Sequence, residues 1–213
     1  RLKIAIIGAS GDIGRLLTTS LVQRGIVGPL DRIQLVGRPE GPSVRTLYGF
    51  KSDMVDGLME QAPHMEVVLN PSEIEADIVV MAAGIPFPRE MGRKGSGDAF
   101  RATNVKICKH YASSISKTGR SPLFLITTHP IEAGVKVFSK YFPRDRIIGM
   151  GGYMDSMRFR REIAEALGVD RGRIKALVIG EHGPEMIPLW SSVRIEGMDE
   201  REQRERIGEL SSQ

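Results

Sequence analysis

Cysteine is almost missing: Cys108 stands alone in 213 residues, which excludes an internal disulfide and a thiolate-built metal centre within the chain. It falls in a stretch with helical spacing, reads as a buried thiol and is assigned no chemistry. Also missing is any apolar run near the roughly 20 residues that a membrane-spanning helix needs. The amino terminus lacks a charged-then-apolar segment ending in small residues, so cytoplasmic residence without membrane association is the expectation. His64, His110, His129 and His182 show no compact ligand spacing, and no metal is expected. Blocks of one charge sign are absent too. The formal net charge is +4, yet bases and acids interleave, as in 199–206, which argues for a solvated surface and against nucleic acid as a partner. The positive excess bears only on how fast anionic ligands are captured. No internal repeat or low-complexity tract occurs. What is present, 41% hydrophobic residues over this length, suits one well-formed domain plus part of another.

Residues 2–7 are a short apolar run, followed by a glycine turn and by 13–24, where Ile13, Leu16, Leu17 and Leu21 recur with helical spacing. Residues 33–36, 67–69, 78–82, 123–127 and 146–148 read as further strands, most too continuously apolar to expose one face. Helical patterns between several of these runs, notably 98–116 and 132–141, imply right-handed strand-helix-strand units. The expected fold class is α/β, a Rossmann-type doubly wound parallel sheet in a dinucleotide-binding domain over 1–149. Near Gly149-Met150-Gly151-Gly152 the pattern changes. A long helix over 155–167, apolar runs at 174–179 and 190–195, and an exposed helix at 199–210 make a partial α+β substrate domain over 150–213.

Gly8-Ala9-Ser10-Gly11-Asp12-Ile13-Gly14 follows the first strand and opens the first helix, with glycines at intervals of three. Such a turn lets backbone amides and the helix dipole approach a pyrophosphate, so Gly8, Ser10, Gly11, Asp12, Ile13 and Gly14 are candidate cofactor-binding residues. A plain glycine-rich turn is the alternative. An NAD site ordinarily carries an Asp or Glu after the second strand to hold the ribose 2′-hydroxyl. Val36-Gly37-Arg38-Pro39 stands there instead. Arg38 suits a 2′-phosphate, which favours NADP over NAD; an exposed arginine beside an NAD site is the other reading.

Ile179-Gly180-Glu181-His182-Gly183-Pro184 sets a histidine between glycines at a strand end, and histidine both takes up and releases a proton near neutral pH. Asp155 and Arg158 stand three apart and share one helix face. An acid to orient the ring, a guanidinium to grip a carboxylate and a base compose a 2-hydroxy-acid site; a simple surface ion pair is the plainer alternative. Taken in order, the glycine turn, Asp155-Ser156-Met157-Arg158-Phe159-Arg160, Gly180-Glu181-His182-Gly183 and Pro188-Leu189-Trp190-Ser191 resemble the malate and lactate dehydrogenase family. The archaeal-type malate dehydrogenase branch is the most similar, over nearly the whole chain.

The resemblance implies hydride transfer between NAD(P) and a small 2-hydroxy or 2-keto acid, with malate and oxaloacetate first. By it, His182 accepts the proton when the alcohol is oxidised and donates it when the keto acid is reduced, Asp155 orients the ring, and Arg158 binds the substrate carboxylate. It also implies a cofactor contact from Asn104 and a homo-oligomer. The segment from Gly84 to Arg93 resembles the family's substrate loop. Counted forward from Gly84, Arg93 falls where an arginine polarises the substrate carbonyl; counted back from Asn104, the loop is longer than the family pattern. Phe87 falls where a second carboxylate is usually selected, with Arg89 two residues on. An inward Arg89 implies a dicarboxylate, an inward Phe87 a monocarboxylate and a lactate-type enzyme.

In Thr127-Thr128-His129-Pro130 the family ordinarily has Asn before the proline, so His129 is a candidate substrate contact of different geometry and protonation. The family's last helices would follow residue 213, and Arg1 stands where Met is usual, so a C-terminally incomplete or trimmed chain is expected. A nucleotide-binding regulatory protein with little or no turnover is the competing function. A short-chain dehydrogenase fits less well, because Tyr111 has no lysine four residues later.

Overall fold

The computed structural model describes residues 1–86 and 96–211. The chain divides into two units, Arg1–Gly149 and Met150–Gln213. In the first, β1 (Lys3–Ile7), β2 (Arg32–Val36), β3 (His64–Val68), β4 (Ile78–Met81), β5 (Leu123–Ile126) and β6 (Ile147–Gly149) form one parallel sheet in the order β3-β2-β1-β4-β5-β6. Helices α1 (Asp12–Gln23), α2 (Pro42–Leu58), α3 (Ser96–Ser116) and α4 (Ile131–Phe138) connect the strands. From β1 the chain first winds one way to β3, then crosses to β4 and winds the other way. That reversal leaves a crevice at the carboxyl ends of β1 and β4, where open α/β sheets take ligands.

The apolar runs are strands buried on both faces: Ile4, Ile6, Ile33, Leu35 and Val80 form one core cluster with Leu47 and Met54 of α2. Phe124 meets Phe138 and Phe142 at ring-centroid distances of 4.9 and 4.4 Å. In this unit β3 and α1 depart from their sequence patterns. β3 starts at His64 rather than 67, because Glu66 is a strand residue whose charge is satisfied across the edge: Arg32 and Gln34 both donate to it. Gln34, only 1% exposed, also accepts the Glu75 N–H at 2.7 Å, so polar groups tie this sheet edge and interrupt its apolar run. The second departure is in α1. Its buried residues are Gly14, Thr18 and Val22, while Ile13 and Leu16 are 59% and 70% exposed.

The second unit holds α5 (Gly151–Leu167), an antiparallel pair β7 (Ile174–Ile179) and β8 (Ile187–Ile195), and α6 (Glu200–Ser211). α5 begins four residues earlier than 155, since its first turn closes with the Met154 N–H donating to the Met150 carbonyl despite two glycines. β7 alternates buried and exposed residues along its length. Its inner face, Ile174 and Ala176, packs with Ile163, Ala164, Val193 and Ile195. β8 takes in Pro188, a residue that tolerates strand positions where no N–H is required. Asp199 starts α6 by accepting the Arg201 and Glu202 N–H groups at 2.9 and 3.0 Å. Among the described residues no helix is long and apolar enough to cross a membrane.

Candidate active site

The glycine turn closes on itself tightly. Gly8 adopts φ +88° and donates to the Val36 carbonyl at 2.9 Å, while the Gly11 N–H donates to the Gly8 carbonyl at 3.0 Å. A methyl group on Gly8 would sit 2.6 Å from the Ala83 nitrogen, and one on Gly14 only 2.4 Å from the Gly8 carbonyl oxygen. Both positions therefore require glycine, which packs α1 directly on β1 and against the chain leaving β4. Gly11, which precedes α1, makes no side-chain cap, so the first-turn amides remain for an outside acceptor. The turn thus fits a dinucleotide pyrophosphate. Asp12 and Ile13 bring backbone to this turn, since the Asp12 carboxylate faces solvent and pairs with Arg15 at 2.8 Å. Ser10 is half-buried within it. Arg38 is exposed two residues beyond the end of β2, whose Val36 carbonyl already holds Gly8.

Asn104 and His129 come together in the same unit. The Asn104 amide accepts the Ile85 N–H at 2.8 Å and donates to the His129 carbonyl at 2.7 Å, with the side chain 2% exposed. Asn104 thus ties the turn after β4 to the turn after β5. Thr128, to which the sequence assigns no role, reinforces the tie by donating to the Ala83 carbonyl at 2.8 Å. Arg89 and Arg93, with Phe87, lie outside the described residues. Tyr111 is buried, and burial pushes its phenol up against a smaller lowering by the Arg38 charge. Burial likewise pushes the Cys108 thiol up to about 11, so neither group is a proton carrier near neutral pH.

In the second unit three predicted residues meet. Asp155, on the first turns of α5, is 5% exposed. Its Oδ2 lies 2.8 Å from His182 Nδ1, and its Oδ1 accepts from Arg158 Nη1 at 2.7 Å. An ionised carboxylate only accepts, so Nδ1 carries the proton and Nε2 is left as the basic atom. The plainer reading as a surface ion pair fails on burial of the acid and on its second bond. Arg158, 52% exposed, uses one nitrogen on Asp155, and its remaining N–H groups have no partner among the described residues. A planar fork of this kind suits a carboxylate.

The His182 turn is shaped by Gly180, at φ +94°, where a methyl group would lie 2.2 Å from the Glu185 carbonyl oxygen. A cavity of about 520 Å³ lined by Arg173, Arg194, Glu196, Glu200 and Arg204 sits at the far end of β7, away from His182 and mixed in charge. No group of His, Cys, Asp and Glu suited to a metal ion is found among the described residues.

Residues 2–149 match the lactate/malate dehydrogenase NAD binding domain, and 153–213 match the alpha/beta C-terminal domain of the same family. The chain belongs to the lactate/malate dehydrogenase family. Within it, the chain is 30% identical over 204 residues to an L-2-hydroxycarboxylate dehydrogenase (NAD(P)(+)) of Methanocaldococcus jannaschii, covering 92% of this chain and 62% of that protein. It is 32% identical over 203 residues to a malate dehydrogenase of Methanothermobacter marburgensis, covering 92% of this chain and 59% of that one. The chain thus spans about three-fifths of the length of these curated relatives. Among solved structures, the malate dehydrogenase of Cryptosporidium parvum matches with a TM-score of 0.77 at 29% identity, covering 99% of this chain and 67% of that one. The parallel six-stranded sheet lies within the residues matched to the NAD binding domain.

Proposed function

We propose that the chain carries the cofactor-binding and proton-transfer parts of an NAD(P)-dependent 2-hydroxy-acid dehydrogenase that interconverts malate and oxaloacetate. The observation that carries this reading is the division of the Asp155 carboxylate between His182 at 2.8 Å and Arg158 at 2.7 Å. A bound nicotinamide supplies the hydride acceptor or donor. His182 Nε2 takes the hydroxyl proton as the alcohol becomes a ketone, and returns it in reduction. Asp155 holds the ring in the required tautomer and balances the imidazolium that forms. Arg158 takes the substrate carboxylate on the nitrogens that Asp155 leaves free, which orients the reacting carbon toward His182. The first unit holds the dinucleotide at the glycine turn, and Arg38 in place of an acid supports NADP as the preferred form. Two of the relatives described above, named for malate and for L-2-hydroxycarboxylates, support the substrate class.

The decisive assay is oxaloacetate-dependent loss of NADPH absorbance by the full-length protein, with NADH and pyruvate in the comparison arms. Absence of turnover with every pairing would remove the assignment. His182→Ala is expected to lower turnover by about 10²–10⁴-fold while leaving dinucleotide affinity unchanged. Arg38→Asp is expected to move the preference toward NADH, read as the ratio of kcat/KM for the two cofactors. Tight NADP binding without turnover would favour instead a regulatory nucleotide binder, a reading to which His129, in place of the family's Asn, lends support.

A further inference from the structure

We propose that Ser156 is a positioning residue for the His182–Asp155 pair, acting as the short strut that locks α5 to β7. The inference rests on the proton-transfer reading given above. Ser156 is 2% exposed and sits next to Asp155 on α5. Its hydroxyl donates to the Gly152 carbonyl at 2.6 Å and accepts the Val178 N–H at 2.9 Å. The directions are forced, because a carbonyl only accepts, an amide N–H only donates, and a hydroxyl has one hydrogen and spare lone pairs. Bonding to the carbonyl one turn back is common for serine within helices. Reaching simultaneously to a strand amide is a different matter, since it fixes the helix relative to that strand.

What the strut fixes is the separation of the two reactive groups. Val178 stands four residues before His182, and the turn between them passes Gly180, which packs against the Glu185 carbonyl with no room for a methyl group. Over so short a span, a displacement at Val178 shifts the point from which the imidazole hangs. Along α5 the bonded residues are Asp155, Ser156 and Arg160; along β7 and its exit their partners run in the opposite direction, His182, Val178 and Ala176. Arg160 reaches the Ala176 carbonyl at 3.0 Å through a long, adaptable side chain. Ser156 makes its link through a single rotatable bond, so it is the stiff member of the three. Without its hydroxyl, the Val178 N–H is left buried and unpaired, and the longer Arg160 side chain and the Asp155–His182 bond are the side-chain hydrogen bonds left to hold the register.

The test uses Ser156→Ala in the full-length protein, with Ser156→Cys as a second variant of nearly equal volume and weak hydrogen bonding. The first readout is the downfield proton resonance of His182 Nδ1–H, assigned by its loss in His182→Ala. The expected result is a broadened or shifted resonance in either variant. The second is a fall of roughly tenfold or more in kcat with the KM for dinucleotide unchanged. If Ser156→Ala does not fold, Ser156→Cys decides on the same readouts. A folded variant with the wild-type resonance and the wild-type kcat overturns the proposal, even if its thermal midpoint falls, because the serine would then be structural only. Should the unmutated protein show no turnover, the dehydrogenase reading fails while the resonance still decides the role of Ser156.

Discussion

At the scale of single residues, the glycines of the cofactor turn are not equivalent. Gly14 is held by backbone on two sides, with the Gly8 carbonyl oxygen 2.4 Å and the Ala9 Cα 2.7 Å from where a methyl group would lie, whereas at Gly11 the nearest atom is 3.4 Å away. Neither backbone neighbour of Gly14 can swing aside as a side chain would. Gly14→Ala is therefore expected to cost about 1–3 kcal/mol of stability through overpacking, and to weaken NADPH binding as the turn opens. Gly11→Ala should leave stability close to wild type. Chemical denaturation and calorimetric titration of the two variants read this directly; equal behaviour would show that the turn is softer than its packing implies. The His182, Asp155 and Arg158 trio was legible in residue type and order. That Asp155 is buried and divided between two partners was not, because burial depends on which face of α5 meets β7. Ser156 carried only a weak signal, a small polar residue beside the acid.

At the scale of elements, the phase of α1 and the edge of the sheet were decided by contacts that hydrophobic spacing does not reveal. Close approach at Gly14 turns Thr18 and Val22 inward and leaves Ile13 and Leu16 on the surface. On the β2–β3 edge, burial pushes the Glu66 carboxyl up, but hydrogen bonds from Gln34 and Arg32 and the charges of Arg32 and His64 outweigh it, and the group titrates below its ordinary value. Asp31, leading into β2, is likewise held low by hydrogen bonds from the Gly28 and Leu2 amides, against a smaller opposing effect of burial. A carboxyl lowered in the folded state contributes stability that is complete above its unfolded titration and fades as pH drops through the folded one. Acidification through the carboxylate range should thus reduce the urea midpoint, and Asp31→Asn combined with Glu66→Gln should make that decline shallower. An acid limb of unchanged slope in the double variant would mean that these two groups do not govern it.

At the scale of the molecule, each unit has its own interior. Residues such as Ile6, Leu35 and Val80 build one cluster, and Ile163, Ile174 and Val193 build another. The fragment 1–149, which keeps the entire parallel sheet and the glycine turn, is expected to fold and to enhance or quench NADPH fluorescence with no turnover toward oxaloacetate. A folded fragment that leaves the fluorescence unchanged would contradict the assignment of the turn. The alternation of apolar runs with helical spacing was enough to read a doubly wound α/β architecture, because strands buried on both faces must be continuously apolar and the connections between parallel neighbours must be long. Motif order likewise carried the family and the residue types of the reactive centre, since chemistry demands an imidazole, an acid and a guanidinium whatever surrounds them. Folding in three dimensions decided the rest: which face of α1 is inside, that Asn104 clasps two turns, and that Ser156 sets α5 against β7. Each of these depends on contacts between separate elements or turns, and no local periodicity records such contacts.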